Sequence, residues 1–473
     1  MTDDAHADSV AQTSAPPGVR RAVVVGAARS GLAAARALLR RGVKVVVTDA
    51  KDAAVLGALP NAAGLTYALG GHPPEIFDGA DLVVSSPGVP PSALPFVLAR
   101  ERGVPIIPEV ELAFRLKGAG LVFGVTGTNG KSTTTALAAA LLCDAGFDAI
   151  ACGNIGLPWC DAIDRPSPSP DARRAYVVEL SSFQLEHVST LRCDAAALLN
   201  VTPDHLDRHP SFPAYLDAKL RIFERQRPED VAVVNADDGT CSLFATSARR
   251  LRFSRRRRID RGTWAAGEFL VGDFGRGSRE FARREHLHLV GDHNVQNALA
   301  ALALTAPFGV DAASTGRTFA RFRALPHRCA LVRTRDGVSW YDDSKGTNVD
   351  ATLKALSGFP TARVWAILGG KDKGDDFSKL APLLEVKGRR ALLIGAAAEA
   401  IEQALYGAHA KIKRIRCGTL EAAVAYAAGH AAKGDVVLLS PACASFDQFR
   451  NFEHRGDVFA ALVSALPPVE NEP

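Results

Sequence analysis

The sequence predicts an α/β protein of three domains, each with a mostly parallel sheet. Three observations carry this. The 473 residues exceed one core, at roughly 100–200 residues per domain. An order of apolar strand, glycine-rich turn and Ala/Leu-rich helix recurs along the chain, as in parallel sheets covered by helices. Two segments of linker composition interrupt it, RLKGAG at Arg115–Gly120 and RALPHR at Arg323–Arg328. The expected boundaries are a disordered arm over 1–18, then domains over 19–117, 118–325 and 326–473.

Composition excludes several classes. Hydrophobic residues make up 47% and charged residues 23%, the balance of a soluble globular protein. A net charge of +5 is too small for this length to mark a nucleic-acid binder, and it leaves anionic small substrates open. The 8 cysteines form no C-x-x-C pair or zinc-type cluster, so they are expected reduced, as in a cytoplasm. No apolar run approaches the roughly 18 residues of a membrane span. The opening MTDDAHADSVAQTSAPPG is acidic and lacks the apolar stretch of a signal peptide. No repeat of fixed period is present.

The first domain opens with RAVVVGAARSGLAAARALLRRGVKVVVTDAK, a strand, turn, helix and strand. A dinucleotide fingerprint needs Gly at 28, where Ala28 stands; Gly26 and Gly31 remain, and Asp49 ends the second strand. The helix N-terminus can hold a diphosphate, and a purely structural turn fits equally well. DLVVSSPGVP reads as a later strand and loop.

The second domain opens with LVFGVTG and continues as GVTGTNGKSTTT over Gly124–Thr135. A Walker A loop would place its first Gly at 125, where Val125 stands. Backbone N–H groups of Gly127, Thr128, Asn129 and Gly130 can still cradle phosphates, with Lys131 reaching the β- and γ-phosphates and Ser132 reaching Mg²⁺. The bland alternative is a helix cap by Thr128 or Asn129. AYVVEL ends in Glu179, a strand-end carboxylate that packing does not explain and that suits Mg²⁺. Asp204 and His205 follow another strand; Asp204 can cap a helix, and His205 gains meaning if it faces Glu179. Lys219 shares a helix face with Tyr215, Leu216 and Phe223. It is either a snorkelling lysine or a buried one of lowered pKa, whose neutral amine takes up CO₂ as a carbamate. DRPSPSPDARR reads as a loop, RLRFSRRRRIDRG as a solvated surface run and GDHNVQNALAALALTA as a helix. The third domain shows four apolar strands ending in polar or glycine-rich turns, in VSWYDDSKGTN, RVWAILGGKDKG, RRALLIGAA and DVVLLSPACAS. Ligands bind at such strand ends.

Together, GTNGKSTT, GNIGLP, ELSSFQLE, NVTPDHLDRH, AKLRIF, GDHNVQNALAALAL, LPHR, DDSKGTN, LGGKDKG and SPACASFDQFRNFEHRG resemble the Mur ligase family, in order and over nearly the whole chain after the arm. The resemblance implies a Rossmann-like N-terminal domain that holds the UDP of a sugar substrate and a central P-loop-type ATPase domain. It also implies a Rossmann-like C-terminal domain that closes over ATP and brings the amino acid. Gly127 to Thr133 would hold the ATP phosphates. Ser132 and Glu179 would bind one Mg²⁺, and Glu179, His205 and carbamylated Lys219 a second; Mn²⁺ is an alternative metal. Asn294 and Asn297 would contact adenine, while Arg328, Asp343 and Lys345 would reach ATP. Asn154 would touch the uridine substrate or the reacting centre, and Ser181, Ser86 and Asp49 the UDP substrate. There the chain departs from the family pattern: Leu-Thr is expected where Arg29-Ser30 stand, and Thr-Arg where Ala50-Lys51 stand. Arg29, Ser30 and Lys51 remain suitable for a diphosphate and a uracil edge. Thr347, Lys373, Ser445 and Phe452 would form a D-glutamate pocket.

The implied activity is ATP-driven amide formation between UDP-N-acetylmuramoyl-L-alanine and D-glutamate in peptidoglycan precursor synthesis. The carboxylate takes the γ-phosphate to become an acyl phosphate, and the amine displaces phosphate. Lys131 and Lys345 neutralise charge beside the metals, with His205 orienting the site. A cytoplasmic bacterial monomer is expected. Other amino acid ligases of the family and folylpolyglutamate-type synthetases compete with this reading; the Asp-Asn-Pro-Arg motif of the diamino-acid branch is absent from the sequence. A nicotinamide oxidoreductase is disfavoured by Ala28. A non-catalytic binding protein is disfavoured by the joint presence of Lys131, Glu179, His205, Lys219 and Lys345.

Overall fold

The computed structural model describes residues 15–169, 171–205, 208–242, 244–359 and 363–467. The chain divides into two compact units. The first runs to Arg284 and takes in Asn297–Thr318; the second comprises Glu285–Gln296 and the chain from Phe319 onward. Among the described residues no helix is long and apolar enough to cross a membrane.

The first unit holds two sheets. One has β1 (Arg21–Val25), β2 (Lys44–Asp49), β3 (Leu65–Leu69), β4 (Leu82–Ser85) and β5 (Ile106–Pro108), all parallel in the order β3-β2-β1-β4-β5. Val23, Val24 and Val25 are wholly buried, as a strand covered on both faces requires. The strand order reverses at β1, and such a switch point opens a crevice at the carboxyl ends.

The other sheet has β6 (Leu121–Thr126), β7 (Asp148–Gly153), β8 (Arg174–Glu179), β9 (Ala195–Leu198), β10 (Val231–Asn235), β11 (Arg249–Ser254), β12 (Gly262–Ala266), β13 (Phe269–Asp273) and β14 (Arg279–Arg283). Its order is β14-β13-β12-β11-β10-β9-β6-β8-β7. Every residue of β6 is buried, and β6 lies between β8 and β9 with Val125 opposite Glu179. That register brings the phosphate-type loop and the strand-end carboxylate together. The sheet departs from the expected parallel pattern at β12–β14, which form an antiparallel meander with a bulge at Leu270/Val271. Part of the basic run supplies β11.

The helix Glu109–Leu116 leaves β5 and ties the two sheets together. Glu111, with no exposed side chain, accepts the N–H groups of Ser189, Thr190 and Leu191 and the hydroxyls of Ser189 and Thr190. Arg115 pairs with it at 2.9 Å. Glu109, also buried, accepts the N–H of Cys160 at 2.6 Å, while its Oε2 has no hydrogen-bond partner. Burial pushes its carboxyl up to about 7. Arg36 bridges to Asp161 at 2.7 Å, and Arg40 and Arg41 both pair with Asp164. The expected arm ends earlier than position 18: Pro16 is buried and its carbonyl accepts the N–H of Val19 at 3.0 Å. Residues 1–14 lie outside the described residues.

The second unit has β15 (Ala330–Arg335), β16 (Val338–Asp342), β17 (Val364–Gly369), β18 (Gly388–Ile394), β19 (Lys413–Gly418) and β20 (Val436–Leu439), in the order β15-β16-β20-β17-β18-β19. Only the β15–β16 hairpin is antiparallel. The four expected strands are β16, β17, β18 and β20. The two edge strands escape the sequence reading because ALVRTR and KRIRCG mix cations into a half-buried pattern. Leu368, Leu393 and Leu438 fill the core on one face of the sheet; Ile367, Leu392 and Leu439 fill the other.

Candidate active site

The phosphate-type loop leaves β6 and enters the helix Lys131–Asp144 through Gly130, whose left-handed φ of 86° makes it the N-cap without any side-chain cap bond. The capping alternative for Thr128 and Asn129 therefore falls away. The Thr128 hydroxyl donates to the Thr202 carbonyl at 3.1 Å and lies 3.1 Å from the Tyr215 hydroxyl. Asn129 is held by Asn200, which accepts its N–H at 2.9 Å and donates to its carbonyl at 3.0 Å. Lys131 folds over the loop, donating to the carbonyls of Gly127 and Thr128 at 3.0 and 2.8 Å. Helix N–H groups and an ammonium thus face one concavity, as anion binding requires. A Cβ on Gly130 would overlap Asn297 Oδ1, so Asn297 packs directly against the loop.

The Ser132 hydroxyl donates to Glu179 Oε2. The Asn154 amide donates to Glu179 Oε1 at 3.0 Å, and the Asn154 N–H to the Glu179 carbonyl at 2.9 Å. Glu179 is 2% exposed. A hydroxyl and a carboxylate converging beside a phosphate loop are the oxygen donors Mg²⁺ takes, so the residues fit that ion. Among the described residues no three His, Cys, Asp or Glu side chains gather as a metal cluster.

His205 has a left-handed φ of 56°; its Nε2 lies 3.7 Å from Asp204 and its ring 4.8 Å from that of Phe183. Asp204 accepts the N–H of His205 at 3.0 Å, and the helix Phe212–Leu220 is capped by Ser211. On that helix Lys219 is 1% exposed, which overturns the snorkelling alternative. Its Nζ donates to the Gly127 carbonyl at 2.9 Å and lies 4.5 Å from the Tyr215 ring centre. Burial, reinforced by the charge of Lys131, holds its amine well below the usual lysine range. A lowered pKa enlarges the share of the neutral, nucleophilic amine.

At the first sheet, Asp49 accepts the N–H groups of Ala27 and Lys51 at 2.8 and 2.9 Å. Its carboxylate thereby fixes the turn after β1 and the chain after β2. Ser86 donates to the Gly26 carbonyl at 3.4 Å. Arg29 and Ser30 open the helix Arg29–Leu39, whose N-cap Ala28 offers no side-chain acceptor; Arg29 and Lys51 are exposed. A cavity of 340 Å³ lies beside Ser86, walled by Phe96, Ile106, Phe183 and Arg208. Arg208 donates to the Pro87 carbonyl at 2.9 Å and to Glu186 at 3.0 Å. Ser181 is the N-cap of Ser182–Leu185, in a capping box with Gln184.

In the second unit, Asp343 is buried and accepts from Ser440 at 2.7 Å and from the N–H of Cys329 at 3.1 Å. Burial raises its carboxyl to about 7, and Arg328 pulls the other way. Lys345 Nζ lies 3.7 Å from the centre of the Phe452 ring, so these two expected residues meet. Thr347 follows in the same loop, its N–H donating to the Lys345 carbonyl at 2.8 Å. Ser445 is 2% exposed and Lys373 is exposed. Asn294 donates to the Val290 carbonyl at 2.7 Å.

Several residues escaped the sequence reading. Asn200 stands directly after Leu199 at the end of β9, a polar strand end that was the available signal. Tyr215 carried a weaker one, its i−4 spacing from Lys219. Arg455, wholly buried, donates to the carbonyls of Ser344, Cys443 and Ala444. His327 pairs with Asp342 at 2.6 Å, and that bond raises its pKa.

Comparison with known proteins covers nearly the whole chain. Three family profiles match: Mur ligase MurD-like, N-terminal domain over 20–108, Mur ligase middle domain over 125–305, and Mur ligase, glutamate ligase domain over 327–443. The UDP-N-acetylmuramoylalanine--D-glutamate ligase of Solibacter usitatus is 45% identical over 451 residues, 95% of this chain and 98% of the relative. The ligase of that name from Koribacter versatilis is 42% identical over 458 residues, 96% and 99% of the two chains. Among solved structures, the UDP-N-acetylmuramate-alanine ligase MurC of Thermotoga maritima shares the fold with a TM-score of 0.61, at 18% identity over 94% of this chain and 99% of that one.

Proposed function

The chain belongs to the Mur ligase family, and on that premise we propose that it joins D-glutamate to UDP-N-acetylmuramoyl-L-alanine at the expense of ATP, in peptidoglycan precursor synthesis. One observation carries this most directly: near-full-length identity of 45% to a ligase of that name. The geometry of Lys131, Ser132, Glu179 and Lys219 around one phosphate-type loop supports it.

The chemistry follows from what each group can do. Lys131 and the N–H groups of Gly127 to Thr133 neutralise and orient the ATP phosphates. Asn297 sets the loop and is the adenine contact, with Asn294 assigned the same role in the second unit. Ser132 and Glu179 would hold one Mg²⁺, and Glu179, His205 and a carbamate on Lys219 a second; the metal supplies charge neutralisation at the phosphates. Lys219 is suited to the carbamate because its amine is buried and held below the usual lysine range, and carbamylation turns that side chain into an oxygen donor. Asp49, Lys51, Arg29, Ser30, Ser86, Asn154 and Ser181 would line the nucleotide-sugar site, where Ser181 also serves its helix. Arg328, Asp343 and Lys345 would serve ATP.

The substrate carboxylate attacks the γ-phosphorus, ADP leaves, and an acyl phosphate results. The D-glutamate amine then attacks the acyl carbon, loses a proton, and phosphate departs. Lys345 would offset the charge that gathers as two anions approach. Thr347, Lys373, Ser445 and Phe452 would receive D-glutamate, whose carboxylates need a cation and hydroxyl donors. A monomer in the cytoplasm is the setting this reading expects.

The test is phosphate release from ATP with UDP-N-acetylmuramoyl-L-alanine and each candidate amino acid in turn. Release should require D-glutamate. Release driven instead by L-alanine or a diamino acid, with the matching nucleotide substrate, would assign a different branch of the family.

A further inference from the structure

We propose that Asp447 is a positioning residue for the amino acid site: its carboxylate accepts the Ala396 N–H in the turn after β18 and so fixes the loop that carries Ser445. This rests on the assignment of Ser445 to D-glutamate above. β18 runs into Gly395–Ala397 and the helix Ala398–Gly407, a strand–turn–helix in which the N–H groups of Gly395, Ala397 and Ala398 go to the carbonyls of Gly418, Gly370 and Gly395. The N-cap, Ala397, offers no side-chain acceptor. The acceptor comes from far along the chain, as Asp447 Oδ2 takes the N–H of Ala396 at 2.9 Å. Gly395 makes the approach possible. Its φ is +65°, and a Cβ there would overlap Asp447 Oδ2 and lie 3.0 Å from Gly370 Cα.

The loop around Ser445 has two kinds of anchor. On the upstream side, Lys371 and Ala444 exchange N–H···O bonds of 2.8 and 3.0 Å, and Arg455 holds the carbonyls of Cys443 and Ala444. On the downstream side Phe446 is 68% exposed, so apolar burial does not secure it. Asp447, and Gln448 donating to the Gly418 carbonyl at 2.9 Å, provide the hold. The Phe449 N–H closes back on the Ser445 carbonyl at 2.8 Å. Ser445 thus sits between a buried anchor and an exposed one in which Asp447 supplies the one charged group.

The experiment is a D-glutamate titration of the ligase reaction on the full chain. Asp447→Ala should raise KM for D-glutamate by about tenfold, the scale of one charge-assisted hydrogen bond, and leave KM for ATP and kcat nearly unchanged. Asp447→Asn keeps an acceptor oxygen and should lose less. Formate should restore Asp447→Ala and leave the wild type unaffected. A thermal-shift assay reads the turn without catalysis: sulfate should stabilise Asp447→Ala more than the wild type. An unchanged KM for D-glutamate, a uniform loss of kcat, or equal sulfate responses would each overturn the proposal. A wild type with no D-glutamate-dependent phosphate release would overturn the functional reading instead, leaving the sulfate comparison to decide the turn.

Discussion

Lys219 was legible in the sequence because a helix repeats every 3.6 residues: Tyr215 at i−4 placed the lysine on the apolar stripe. Its exclusion from solvent and its bond to the Gly127 carbonyl required the fold. Asn200 was harder to read, since its partner Asn129 lies 71 residues away and no local spacing joins them. Removing the amine should therefore be decisive. Lys219→Ala is expected to abolish nearly all D-glutamate-dependent phosphate release, with partial recovery in short-chain carboxylic acids; near-wild-type turnover would exclude the carbamate. Glu109 makes a stability prediction. Its folded pKa of about 7 lies above the ordinary 4.5, so the folded state holds a proton that the unfolded state has lost between those values. Stability falls as pH rises through that window and stays reduced above it. Glu109→Gln should flatten this slope and raise the unfolding free energy at pH 8, by on the order of 3 kcal/mol at most. An unchanged pH profile in chemical denaturation would show that the carboxyl is ionised in the fold.

At the level of elements, the strands that build the site were the readable ones. β6, β8 and β17 are runs of largely buried apolar residues that end in threonine, a carboxylate and glycine. β12–β14 were missed because GTWAA, FLVGD and REFAR are short, and the last mixes arginines into its pattern. Their pairing is set by a hairpin register that local composition does not encode. The loop between β6 and its helix makes the sharpest element-scale prediction. Gly130→Ala must hold φ near 86° and displace Asn297, a strain of about 1–2 kcal/mol before any repacking. ATP affinity measured by calorimetry should drop about tenfold or more. Unaltered affinity would mean that the loop does not hold the nucleotide.

In the whole molecule, the linker RLKGAG reads in sequence as a place where domains part; it lies between the helix that ends at Leu116 and β6, which begins at Leu121, inside one compact unit. The sequence does not reveal that the preceding helix binds the two sheets into one compact unit. The exposed arginine–aspartate pairs between them are worth about 0.2–1 kcal/mol each. The buried Glu111, with five hydrogen bonds from residues 189–191 and a paired arginine, is worth more, because its loss strands donors away from water. Glu111→Ala should cost about 3 kcal/mol or more and separate the melting of the first sheet from that of the second in calorimetry. One joint transition in that variant would place the coupling elsewhere.

The antiparallel meander has a consequence for how copies of this chain meet one another. β14 closes one border of the widest sheet, and an unpaired strand border invites a strand from another chain. Here the border reads Arg-Glu-Phe-Ala-Arg, with Arg279, Glu280 and Arg283 exposed, and the bulge beside it breaks the regular register. A visiting strand would have to strip water from guanidinium groups along an irregular edge. The arginine-laden segment thus guards the protein against fibril-like stacking when it is crowded or newly made.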